Sequence, residues 1–138
     1  MSSEQYKNES DRWYRQGIAD LEAARGSLQL KTYEWASFQA QQAGEKFLKA
    51  YWLYNGHDPW GHSLTKLIID YPDTGTKHAI AALLDAAKYL DKMYIPTRYP
   101  NGLPDMIPAE VFTLEEASQA INQAQKMLDA LKSSLSGY

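Results

Sequence analysis

Cysteine is absent from this sequence of 138 residues, which removes disulfide staples, a thiolate nucleophile and thiolate-based metal sites, and fits a reducing compartment. Long apolar runs are missing as well. Nothing approaches the ~20 consecutive apolar residues that a helix needs to cross a bilayer, and the stretch from Met1 to Glu9 is polar where a secretory signal would be apolar. The expectation is a soluble, cytoplasmic protein with no membrane partner. Positive charge is scarce: 14 Lys and Arg stand against 17 Asp and Glu, a net charge of −3. That balance argues against a broad phosphate-binding surface while leaving room for a local basic groove. Period-two alternation of β-branched residues is nowhere sustained, so no sheet is expected. Gly-rich phosphate loops, a dinucleotide fingerprint, a Glu-x-x-His di-iron pattern and a serine elbow are all lacking, and no cofactor is implied.

What is present is helical periodicity. Tyr14, Ile18, Leu21, Ala24 and Leu28 recur at helical spacing from Ser10 to Leu30. A second pattern follows Thr32, a suitable N-cap, and stops at Asn55-Gly56. Ser63 caps a short helix that ends at Tyr71-Pro72, because the residue before proline resists helical geometry. A fourth pattern runs from Thr76 to Met93 and carries Ile80, Leu83, Leu84, Ala87, Leu90 and Tyr94 on one side. Thr113 and Glu116 form a capping box for the last, which reaches Leu135. The expected fold is therefore all-α, an up-and-down bundle of four long helices plus one short helix, with residues 1–138 as a single domain. Helix two is apolar on two faces, Ala36, Ala40, Ala43, Phe47, Ala50 and Tyr54 on one, Phe38, Leu48 and Trp52 on the other. The second face is expected to be covered by another copy of the chain, giving a homodimer. The 4 Trp and 10 Tyr either fill the bundle or line a groove or interface.

Ile95 to Phe112 is long for a bundle connection, and Pro96, Pro100, Pro104 and Pro108 stiffen it. Arg98 sits between two of these prolines. The chain there is expected to be extended and to aim the guanidinium at a fixed point. Such an arginine either forks a phosphate, with Tyr99 stacking on a base, or pairs with a buried carboxylate, for which Glu45 is the candidate. Lys46, Lys49, Gln39 and Gln42 share one stripe of helix two, which is either a phosphate-groove lining or a solvated face. His57 and His62 flank Asp58 with no third ligand at metal spacing, so no metal site is expected. His62 precedes a helix start, where acid–base chemistry or phosphate contact is available to it. His78 falls on an exposed helical turn.

Four segments together resemble one family. Trp13 to Leu28, Tyr33 to Ala50 (Tyr-Glu-Trp-Ala-Ser-Phe-Gln-Ala-Gln-Gln-Ala-Gly-Glu-Lys-Phe-Leu-Lys-Ala), Gly61-His62-Ser63-Leu64 and Thr97-Arg98-Tyr99-Pro100 look like the HEPN (higher eukaryotes and prokaryotes nucleotide-binding) domain over residues 10–131. The resemblance implies an all-α bundle that commonly dimerises. It implies either a metal-independent ribonuclease, with an Arg and then a His separated by four to six residues, or a binding protein paired with a minimal nucleotidyltransferase as in toxin–antitoxin systems. Arg98 matches the family arginine. The matching histidine positions hold Leu103, Pro104 and Asp105, so a proton relay is lacking unless His62 comes to Arg98 in space. The preferred expectation is thus a non-catalytic protein that holds a nucleotide or RNA phosphate with Arg98, Tyr99, Lys46, Lys49, His62 and Gln42. The alternatives are a ribonuclease using Arg98 across a dimer, and an interaction module in which Tyr94 and Tyr99 accept a nucleotide from the partner.

Overall fold

Ser2 starts the chain's first helix, α1 (Ser3–Gln29), by accepting from the Gln5 N–H while the Gln5 side chain accepts from the Ser2 N–H. This capping box satisfies two orphan donors. It also places the helix start well before Ser10, where apolar periodicity first becomes readable. The computed structural model describes residues 1–72, 75 and 78–135, with the side chain of His78 outside the described residues. The expected start of the fourth helix at Thr76, and the exposure expected for His78, fall there too. The remaining elements are α2 (Tyr33–Tyr54), α3 (Leu64–Ile69), α4 (His78–Ala81), α5 (Leu84–Asp91), a 3-10 turn (Pro100–Gly102), α6 (Pro108–Val111) and α7 (Leu114–Leu135). No strand occurs among the described residues, and none of their helices is long and apolar enough to cross a membrane.

The short turn after Gln29 folds α1 and α2 into an antiparallel hairpin, and α7 packs across α2. Small side chains permit the close approach: Ala36, Ala40, Ala43 and Ala50 of α2 and Ala117, Ala120 and Ala124 of α7 are almost wholly buried. Phe47, with no exposed surface, fills the space that Gly17 of α1 leaves by lacking a Cβ; a Cβ there would stand 2.7 Å from the Phe47 ring. The Thr113–Glu116 capping box starts α7.

Three expectations are corrected. The fourth long helix is two helices, because Leu83 N–H turns to the Ile80 carbonyl and the α-helical ladder breaks. Its apolar stripe continues through the break, Ile80, Leu83, Ala87 and Leu90 all being buried, so periodicity does not reveal it. The second apolar face of α2 is covered by the chain itself: Leu48 is fully buried, and the Trp52 indole N–H donates to the Leu67 carbonyl at 2.8 Å. Finally, the proline-rich connection is not extended at Arg98. The N–H groups of Arg98 and Tyr99 both donate to the Ile95 carbonyl, a tight turn that Thr97 closes through its hydroxyl to the Met93 carbonyl at 2.6 Å. Pro96 favours this because it sits at the turn's second position, where a fixed φ suits the bend.

Asp91 at the end of α5 holds α3 in place. Its carboxylate accepts from the Leu64 and Thr65 N–H groups and from the Ser63 hydroxyl, which joins α5 to the positive end of α3. Asp91→Ala is expected to lower stability by about 1–2 kcal/mol, the cost of losing a helix cap, checked by denaturant unfolding against wild type. Asp91→Asn, which keeps an acceptor, should lose less.

Candidate functional site

Apart from Gln39, which meets Ser27 at 2.6 Å, and His57, the residues that the sequence singles out form one continuous chain of contacts, although their charges are committed differently from the expectation. Lys46 binds Asp20 of α1 at 2.7 Å and donates to Gln42 at 3.2 Å. Gln42 donates to Gln41, which is fully buried and donates in turn to Glu45 Oε1. Glu45, 4 % exposed, accepts from Lys49 at 3.0 Å through Oε2. The same oxygen lies 3.2 Å from His62 Nδ1. The i, i+4 spacing of Gln41, Glu45 and Lys49 brings the three onto one helical face. Lys49 also stands 5.3 Å above the Trp13 ring. Both lysines therefore spend their charge inside the fold, Lys46 on Asp20 and Lys49 on Glu45.

His62 reaches Glu45 because Gly61, at φ +80°, reverses the chain just before it, a conformation that side chains disfavour. With its Nδ1 facing a carboxylate oxygen, the imidazole must carry its hydrogen there, which leaves Nε2 directed away from the pair. Its ring stacks on Tyr94, 5.2 Å between centroids and 20° between planes. The loop before it is tied to α1 by Tyr6, whose phenol is hydrogen-bonded to Asp58 and is thereby pushed above the usual tyrosine range, with burial and the Asp58 charge adding to the shift.

Arg98 lies against the same Tyr94 ring, with its guanidinium carbon 4.7 Å from the centroid, and is closer still, at 4.2 Å, to Phe38. Tyr99 is 5.2 Å away. Nε and Nη2 both donate to the Tyr94 carbonyl, at 2.9 and 2.7 Å. No carboxylate pairs with Arg98 among the described residues: the expected Glu45–Arg98 contact is replaced by Glu45–Lys49 and Glu45–His62. Aromatic faces and one carbonyl thus hold the guanidinium rigidly without neutralising it. Nη1 has no hydrogen-bond partner among the described residues.

Tyr94 is the residue that links the two halves, touching His62 on one side of the site and Arg98 on the other. Its sequence signal is slight, a tyrosine at the end of an apolar stripe. Phe38 is half-buried beneath Arg98. His57 lies away from this cluster, edge-on to Trp52 and Tyr71. No group of three His, Asp or Glu side chains is placed to hold a metal among the described residues.

A family model for the HEPN domain matches residues 10–134. The crystal structure of TT1696 from Thermus thermophilus is 41 % identical and covers 91 % of this chain and 97 % of its own, with a TM-score of 0.83. ST0689, described as an archaeal HEPN homologue, is 33 % identical with a TM-score of 0.75 and the same coverage of both chains. The HEPN domain protein tm0613 from Thermotoga maritima is 26 % identical, covers 91 % of this chain and 98 % of its own, and has a TM-score of 0.65. No curated protein matches the chain.

Proposed function

We propose, from the premise that this chain belongs to the HEPN domain family, that it holds the phosphate of a nucleotide or RNA between Arg98 and His62. The observation that carries this reading is the guanidinium of Arg98, fixed by Tyr94, Phe38 and Tyr99 yet matched by no carboxylate among the described residues. A positioned and uncompensated cation is suited to an oxyanion. His62 Nε2 supplies a second donor or acceptor near the same tyrosine ring. Lys46 and Lys49 support the site from within, as partners of Asp20 and Glu45. A homodimer of this chain would use the exposed apolar side chains beside the site, Trp35 and Ile95 with Tyr99, since Leu48 and Trp52 are covered.

Arg98→Ala is expected to weaken binding of short single-stranded RNAs, ATP, GTP or AMP by about 10–100-fold, the value of a hydrogen-bonded charge pair, with the helical content unchanged. Arg98→Lys, which keeps the charge and loses the fork, should fall between. With so few phosphate contacts, affinity should decline only gently with salt. Equal affinity of wild type and Arg98→Ala overturns the reading.

One observation favours a second reading, a metal-independent ribonuclease. Glu45 orients His62 as a carboxylate orients the imidazole of a general base, and Tyr94 brings this imidazole to the neighbourhood of Arg98. In that case RNA cleavage persists in excess chelator and is lost in His62→Gln. Full activity of His62→Gln, or none in wild type, removes this reading.

A further inference from the structure

A hollow of about 590 Å³ opens beside His62, between the loop at residues 58–63 and α3. That volume lies in the range of small-ligand sites. On its rim stands Trp60, 88 % exposed, the most exposed large apolar side chain among the described residues. It is not part of a frayed terminus: Pro59 and the positive-φ Gly61 flank it, and the loop is pinned by Asp58 to Tyr6 and by Ser63 to Asp91. Trp52 forms part of the wall with its indole N–H already given to Leu67, so it adds apolar surface.

Three charged side chains complete the lining, and one of them, Asp58, is already engaged with the Tyr6 phenol. Lys66 and Asp70 lie four residues apart, on one side of α3 and at its C-cap, and both face the hollow. Neither has an ion-pair partner among the described residues, and they do not pair with each other within 4.0 Å. An exposed indole, a free ammonium and a free carboxylate around one cavity describe a planar ligand that carries adjacent acceptors and donors. Guanine has that edge. Its N1–H and N2 amino group are neighbouring donors for two carboxylate oxygens, and O6 and N7 are acceptors for an ammonium. Adenine offers a carboxylate one donor beside an acceptor, and uracil sets its N3–H between two carbonyls. Stacking alone does not choose among bases, so the choice belongs to Asp70 and Lys66.

We infer that this hollow receives a guanine base, stacked on Trp60 and read by Asp70 and Lys66, belonging to the nucleotide whose phosphate is held at Arg98 and His62. The inference rests on the phosphate-binding reading, because His62 lines the hollow and also belongs to the Arg98 cluster. The nucleotide is either free or part of a single RNA strand.

The experiment measures fluorescence anisotropy of the labelled hexamers UUGUUU and UUAUUU on the full chain, with GMP and AMP as competitors. The guanine strand should bind at least about tenfold more tightly, and Trp60→Ala should lose about tenfold or more, within the usual range for one stacked base. Trp60→Phe should retain most of the affinity. Asp70→Asn should bring the two strands to similar affinities. Trp60→Ala should unfold at the wild-type temperature, since the side chain lies almost wholly in solvent. Displacement by GMP with the same Trp60 dependence assigns a free nucleotide, and its failure assigns the RNA strand; both support the base site. Wild-type affinity in Trp60→Ala, or equal binding of the two strands, overturns the base site, while a loss in Arg98→Ala would leave the phosphate reading standing. No binding of any probe by wild type removes both.

Discussion

Glu45→Ala lowers the stability of the chain by about 3–5 kcal/mol, because it strands a buried ammonium. The side chains of Glu45 and Lys49 are 5 % and 10 % exposed and meet at 3.0 Å. Removing the carboxylate leaves Lys49 facing Trp13 with no anion, and leaves Gln41 Nε2 and His62 Nδ1 without their acceptor. For a domain of this size the expected fall in Tm is about 10–20 °C. The double variant Glu45→Leu/Lys49→Met should recover most of the loss, since a buried ion pair is often replaceable by apolar side chains of similar volume. Thermal unfolding of wild type and both variants decides the matter. A loss below about 1 kcal/mol in Glu45→Ala, the level of an exposed pair, would mean that the pair contributes no more than a surface contact.

Phe47→Ala carries a cost of similar size, about 3–5 kcal/mol, from lost apolar burial and the cavity left between α1 and α2. Here the useful measurement is its coupling to Gly17. A Cβ on Gly17 would stand 2.7 and 2.9 Å from two Phe47 ring carbons, so Gly17→Ala alone should cost about 1–3 kcal/mol through overpacking. The ring that causes the clash is gone in the double variant. Gly17→Ala/Phe47→Ala should therefore be more stable than the sum of the two single losses allows, by at least about 0.5 kcal/mol. Strict additivity in denaturant unfolding would show that the helix–helix approach is set elsewhere.

The parts of the site that are legible before folding are those in which chemistry and spacing coincide. The i, i+4 spacing of Gln41, Glu45 and Lys49 permits the Gln41–Glu45 and Glu45–Lys49 contacts by helical geometry alone, although the expectation places Glu45 on Arg98 and Lys49 on a phosphate-groove stripe. Arg98 is marked by Pro96 and Pro100 as a residue with a constrained backbone. The partners of these groups are not legible. Glu45 and Arg98 have opposite charges and both belong to the segments that carry the family resemblance, yet Arg98 turns to the Tyr94 carbonyl and three aromatic faces. Nothing in the one-dimensional pattern favours a carbonyl over a carboxylate. Trp60 carries no periodic signal either, since it lies in a loop, and only its exposure beside a cavity gives it meaning.

That the chain is helical, where α3 and α7 begin and which helical faces are apolar are all legible before folding, because period, caps and proline act over a few residues; Thr32 precedes α2 as expected but gives its hydroxyl to the Ser27 carbonyl rather than capping the helix. The tertiary structure decided what covers the second face of α2, where the fourth apolar stripe breaks into α4 and α5, and which charges are already matched. Those outcomes depend on distances between segments far apart in the chain. His62 and Glu45 are separated by half a helix and a loop, and it is long-range contacts, Asp91 of α5 on the start of α3 and Trp52 on the Leu67 carbonyl among them, that set the loop carrying His62 beside α2.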